Sequence, residues 1–152
     1  MQNREIVQEL TIGAPRETVF RALTDARELE KWWTTRAESR AEEGGSFRYD
    51  WTFPDAPERD HVQQGTYSRL ENGKRLEYPW MAERVPTEVR FDLSDAGEGT
   101  TLRLVHAGWR ENMDEAIERH AQGWGFFLGN LKSFLEEGVD RRVEAMGMSV
   151  AE

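Results

Sequence analysis

An α+β domain, with a curved antiparallel sheet of about six or seven strands wrapped round one long C-terminal helix, is the fold class that the sequence predicts. Three observations predict it. The 152 residues suit one domain, and no repeat, low-complexity tract or linker divides them. The middle of the chain alternates apolar and polar residues between hairpin-length breaks, the period of strands that pair with their sequence neighbours. The last third steps its apolar residues by threes and fours, the period of a helix with one buried face.

Residues 5–12 read as the first strand. Ile6, Leu10 and Ile12 fall on even positions and Glu9 and Thr11 on odd ones, with Val7 interrupting the alternation. Gly13-Ala14-Pro15 ends that strand. Pro15 then suits the first turn of a helix, with Glu17 near the positive end of the helix dipole. Val19, Phe20 and Leu23 give this helix its apolar face, and Thr24-Asp25 reads as a stop followed by a new N-cap. A second short helix runs through 27–31 to the pair Trp32-Trp33.

Phe47, Tyr49 and Trp51 alternate with Arg48 and Asp50 after a turn at Gly44-Gly45, until Pro54 and Pro57 break the pattern. Residues 62–70 read as the next strand, and Asn72-Gly73 is a strong hairpin signal. Leu76, Tyr78 and Trp80 alternate on the return. After Pro86, Val89, Phe91 and Leu93 alternate with charged residues, and a glycine turn at Gly97 and Gly99 leads to Leu102, Leu104 and His106. No gap between these strands has room for a crossover helix, so the sheet is antiparallel.

Asn112 is the expected N-cap of the long helix, with Glu115 completing a box-like start. Ile117, Ala121, Trp124, Leu128, Leu131 and Leu135 form its stripe, which Phe127 and Phe134 widen. The helix covers about 25 residues and ends near Gly138. A single domain over 1–143 is expected, with a frayed, disordered tail over 144–152.

Composition narrows the partners. Asp and Glu number 29 against 20 Lys and Arg, a net charge of −9. Neutralising phosphates takes a basic surface, so no nucleic-acid partner and no polybasic membrane docking are expected. The chain has no Cys, which removes disulfides, thiol nucleophiles and zinc ribbons. The N-terminal MQNREIVQEL lacks the apolar run of a signal peptide, and no stretch is apolar enough to insert in a membrane. A cytoplasmic location is the expectation.

Taken in order, Ala14-Pro15-x-x-x-Val19-Phe20-x-Ala22-Leu23-Thr24-Asp25, Trp32-Trp33, Gly44-Gly45-x-Phe47-x-Tyr49, Gly65 and Leu76-x-Tyr78-x-Trp80 form a pattern. It continues through Thr100-Thr101-Leu102, His106-x-Gly108-Trp109 and Gly123-Trp124-x-x-x-Leu128-x-x-Leu131. This pattern resembles the START-like (SRPBCC, helix-grip) superfamily, and within it the activator of heat-shock protein 90 ATPase homologue-like family. The resemblance implies a helix-grip fold with a cavity for apolar or aromatic molecules, and it implies no single activity. The eukaryotic co-chaperone that gives the family its name carries an additional N-terminal domain with the main chaperone contacts. This chain resembles only the C-terminal domain, so a chaperone partner is not expected.

Candidate chemistry is sparse. His61, His106 and His120 form no pair at metal-ligand spacing, and no serine lies in a nucleophile elbow, so neither a metal, a cofactor nor a catalytic residue is assigned. His106 shares a strand face with Leu102 and Leu104, and His120 lies four residues before Trp124 on the helix. Both suit polar fixtures in an apolar hollow. Gly123 and Gly125 flank Trp124 at a cost of roughly 1 kcal/mol each relative to Ala, which implies close backbone approach or space kept open.

The 6 Trp, 7 Phe and 3 Tyr must line a core or a pocket. The expected lining is Trp33, Phe47, Tyr49, Trp51, Tyr78, Trp80, Phe91, His106, His120, Trp124, Phe127 and Leu128. A protein that binds a small hydrophobic or aromatic ligand is the leading reading. One alternative is a cyclase, dehydratase or hydrolase using His106 or His120 with Tyr49 or Tyr78; another is a chaperone-directed interaction module. Pairing of two copies as a homodimer stays open.

Overall fold

The computed structural model describes residues 4–150. Strand β1 (Ile6–Ile12) leads into helices α1 (Arg16–Thr24) and α2 (Ala26–Trp32), followed by strands β2 (Arg36–Ser39) and β3 (Ser46–Trp51). A 3-10 turn (Pro57–Arg59) precedes β4 (His61–Thr66), β5 (Arg69–Glu71), β6 (Arg75–Ala82), β7 (Val85–Ala96) and β8 (Gly99–Ala107). Helices α3 (Asp114–Glu137) and α4 (Arg142–Met146) close the order. This is the α+β, helix-grip arrangement that the sequence predicts.

Every strand pairing is antiparallel, in one sheet of order β1-β8-β7-β6-β5 and one of order β2-β3-β4. The expected strand over 62–70 is the hinge between them. Its first half pairs with β3 and its second half with β6. At the bend the Tyr67 N–H still reaches Gly45 O at 3.0 Å, while the Ser68 N–H reaches Glu77 O at 2.9 Å. One strand therefore changes partners in two residues, which turns the sheet round α3.

Two side chains manage the seam. The Gln63 amide takes the place of a strand neighbour, donating to Met81 O at 2.7 Å and accepting from Met81 N at 2.9 Å. Pro79, which has no N–H to offer, lies beyond the last β5–β6 pair at Arg69 and Glu77, where no partner would bond it. Strand β2 has no counterpart in the predicted elements. Its four residues, Arg36-Ala37-Glu38-Ser39, bury no side chain fully, so neither length nor alternation marks them.

Asp25 caps α2 as expected, accepting from Arg27 N and Glu28 N at 3.0 and 3.1 Å. Asn112 does not cap α3. It sits at φ 66°, and the helix starts after Met113 with no side-chain cap. Gly138, at φ 72°, ends the helix where its end is expected, in the left-handed conformation that suits glycine.

Residues up to 150 are docked where a frayed tail is expected after Val143. The side chain of Arg142 is 1% exposed. It donates to Thr34 O at 2.6 Å, Glu30 O at 2.7 Å and both Asp140 carboxylate oxygens at 2.9 Å. That set satisfies most of a guanidinium, so the cost of burying the charge is offset. Met148 is buried, and the Ser149 N–H donates to Thr52 O at 2.9 Å. A polar, alanine-bearing segment gives no periodic sign of this; one arginine bonded to main-chain carbonyls holds it. Residues 151–152 of the expected tail lie outside the described residues.

Candidate ligand cleft

Between the N-terminal half of α3 and the sheet seam lies a cleft of about 230 Å³. Its walls are Trp33, Trp51, Phe53, Trp80, Trp124, Phe127 and Met146, with Gly123 on the helix side and Arg59, His61, Arg119 and His120 as its ionisable residues. Strand alternation creates the aromatic wall. Phe47, Tyr49 and Trp51 share one face of β3, and Leu76, Tyr78 and Trp80 one face of β6, with only the last residue of each set reaching the cleft. Trp33 is the hub, its ring centre 5.2 Å from Trp51, 5.4 Å from Trp124 and 6.0 Å from Trp80, the last pair stacked.

The interior between sheet and helix is otherwise filled by rings. Of the expected lining, Trp33, Trp51, Trp80, His120, Trp124 and Phe127 come together at the cleft. Phe47, Tyr49, Tyr78, Phe91, His106 and Leu128 are buried in the packed core away from its walls. Phe53, Arg59, His61, Arg119, Gly123 and Met146 complete the walls without having been in that set. Phe53 did leave a signal, since it extends the odd-numbered series of Phe47, Tyr49 and Trp51. A Cβ built on Gly123 would meet no atom within 4 Å, so this glycine leaves space beside the helix; Gly125 is exposed and close to no backbone.

The histidines can be assigned tautomers from their partners. Trp124 Nε1–H, which can only donate, lies 3.0 Å from His106 Nδ1, so Nδ1 carries a lone pair. The proton then sits on Nε2 and is donated to Thr87 Oγ1 at 2.7 Å, whose own hydroxyl donates to Trp80 O at 2.6 Å. Burial, and secondarily His120, lowers the His106 pKa to about 3. His120 bonds Ala116 O through Nδ1 at 2.8 Å, which puts its proton there and leaves Nε2 as a free acceptor. His61 Nε2 accepts from the Gln63 amide at 2.8 Å, which leaves its Nδ1–H as a free donor. Burial lowers the pKa of both residues as well.

The sequence matches the family described as Activator of Hsp90 ATPase homolog 1-like protein over residues 13–136. The chain belongs to that family. Its fold is similar to protein MLL2253 from Mesorhizobium loti, at 25% identity and TM-score 0.77, covering 89% of this chain and 98% of that one. It is similar to CalU16 from Micromonospora echinospora at 27% identity and TM-score 0.69, covering 88% and 77%. It is also similar to the Aha1 dimer from Colwellia psychrerythraea, solved in solution, at 25% identity and TM-score 0.72, covering 88% and 97%. Among curated proteins no match was found. Among the described residues no helix is long and apolar enough to cross a membrane.

In this member of the Hsp90 ATPase activator homologue family no tyrosine lines the cleft. Tyr67 Oη lies 2.6 Å from both Tyr49 Oη and Ser39 Oγ, and Ser39 donates to Thr24 O at 2.5 Å. Burial holds the Tyr49 and Tyr78 hydroxyls well above the usual phenol pKa. At the cleft itself, the buried indole N–H groups of Trp51 and Trp80 meet no acceptor. Each such orphan costs about 1–3 kcal/mol. The rim is held by Arg119, paired with Glu83 at 2.8 Å. Glu83 and Arg84 form the β6–β7 turn at φ 48° and 69°, a conformation that side chains adopt at a cost.

Proposed function

We propose that this protein binds a small hydrophobic molecule with an aromatic ring in the cleft between α3 and the sheet seam. The observation that carries the reading is the wall of Trp33, Trp51, Trp80, Trp124, Phe53 and Phe127 facing the space beside Gly123. Rings of this kind bind flat apolar partners by dispersion and edge-to-face contact, and the few polar groups at the rim orient them. The catalytic alternative draws less support. Both ring nitrogens of His106 are engaged, and His120, which keeps Nε2 free, has neither Tyr49 nor Tyr78 beside it in the lining.

Four tryptophans in the wall make intrinsic fluorescence the direct test. Titration with a panel of one- to three-ring aromatics and acyl chains is expected to give saturable quenching by at least one member, with one-to-one stoichiometry. Native mass spectrometry of freshly purified protein checks for a co-purified molecule. Absence of saturable quenching across the panel overturns the reading.

A further inference from the structure

The ionisable residues of the cleft are all basic, in a chain whose net charge is −9. Arg119 is already paired with Glu83. Arg59 has no ion pair among the described residues; its guanidinium lies 4.4 Å from the centre of the Phe53 ring, a cation resting on one wall of the cleft. Two acids flank it in sequence, Glu58 and Asp60; neither pairs with it, and Asp60 has one carboxylate oxygen occupied by the Phe53 N–H at 2.8 Å. Beside Arg59, His61 presents a free Nδ1–H, because Gln63 fixes its other nitrogen as an acceptor.

From this arrangement we infer that the ligand is an aromatic carboxylate of one or two rings, its ring against Trp51, Trp80 and Trp124 and its carboxylate at the edge formed by Arg59 and His61. The inference rests on the ligand-binding reading above and adds the charge and size of the ligand. Size follows from volume: about 230 Å³ is below the ~300–1,000 Å³ of pockets for drug-sized molecules. Charge follows from the donors. A carboxylate accepts from a guanidinium and a neutral imidazole N–H together, whereas a cation would meet the like charges of Arg59 and Arg119, with His120 Nε2 as its one free side-chain acceptor among the ionisable residues.

The test compares 2-naphthoate, 2-naphthamide and 2-naphthylmethylammonium, which share a ring system and differ in charge. Dissociation constants come from tryptophan quenching at pH 7.5 and low salt. Naphthoate is expected to bind roughly tenfold tighter than the amide, and the ammonium most weakly. Salt should weaken naphthoate and leave the amide unchanged. Arg59→Gln, at an exposed position, is expected to bring naphthoate to the level of the amide while the amide stays unchanged. Equal or tighter binding of the amide overturns the inference and leaves the ligand-binding reading standing. A naphthoate preference that survives both Arg59→Gln and Arg119→Gln overturns the assignment to this edge. If none of the three binds while another member of the wider panel does, this inference falls and the ligand-binding reading stands; if no member of the panel binds, both fall.

Discussion

His106 in the packed core on β8 and His120 on the cleft rim lie with ring centres 5.7 Å apart, and their surroundings use the same side chain in opposite ways. In the core, Trp124, His106, Thr87 and the Trp80 carbonyl form a directed chain in which each donor has one acceptor. At the rim, His120 spends one nitrogen on its own helix and leaves the other free beside the cleft. A residue with every hydrogen bond met inside the protein contributes to stability and uniqueness; a residue with one left over has something to offer a ligand. The comparison locates function by the unspent valence, not by residue type.

The largest expected effect breaks the core chain. His106→Leu strands the buried Trp124 N–H and removes the acceptor–donor relay to Thr87, so a loss of about 2–3 kcal/mol is expected. His120→Leu removes one bond to a carbonyl that the helix already uses, and should stay within about 1 kcal/mol. Urea unfolding of both variants measures the ratio. Equal losses would mean that the two regions do not differ as described.

Acid sharpens the same contrast. With its pKa lowered to about 3 from an ordinary 6.5, His106 stays neutral in the folded protein while the unfolded chain takes up a proton. Its contribution is complete above pH ~6.5 and declines by about 1.4 kcal/mol per pH unit as pH falls toward 3. His61 and His120, also lowered, act in the same direction. The stability of the wild type minus that of His106→Leu, followed from pH 7 to pH 4, should fall with that slope below pH ~6.5 and change sign before pH ~4. A flat difference would contradict the buried neutral imidazole.

Much of this architecture was legible in the sequence, because its signals are periodic. Alternation on β3, β6, β7 and β8 marks the inward faces, and the stepping of Trp124, Leu128 and Leu131 marks the buried side of α3. The cleft was half legible for a physical reason: periodicity says which face a residue takes, not how far along the strand the core stays closed. Tyr78 and Trp80 share a face, yet one is in the packed core and the other lines the cleft. Arg59, Arg119 and Met146 come from a turn, an exposed helix side and the C-terminal segment, where pattern carries no information about proximity. The Arg142 anchor that brings Met146 near the cleft depends on carbonyls of Glu30 and Thr34, more than a hundred positions away.

Filling the cleft tests whether the rim region is kept open for a ligand. Gly123→Leu places a side chain where a Cβ meets nothing within 4 Å. Tenfold or greater loss of affinity for 2-naphthamide is expected, with stability unchanged or raised. Retained affinity would move the ligand elsewhere.

The smallest effect separates space from backbone freedom within one helix. Gly123, Gly125 and Gly129 all lie inside α3, and at none of them does the backbone need positive φ. Replacing any one by Ala should therefore stabilise the protein by roughly 0.5–1 kcal/mol through helix propensity alone. Only Gly123 lines the cleft; Gly125 and Gly129 are exposed. Gly125→Ala and Gly129→Ala should raise stability without touching naphthamide affinity, while Gly123→Ala raises stability and weakens binding by a small factor. Thermal melts and quenching titrations on the three variants measure both quantities. If all three leave affinity alone, one methyl group does not encroach on the ligand, and the glycine at 123 is no more a part of the cleft than its exposed neighbours.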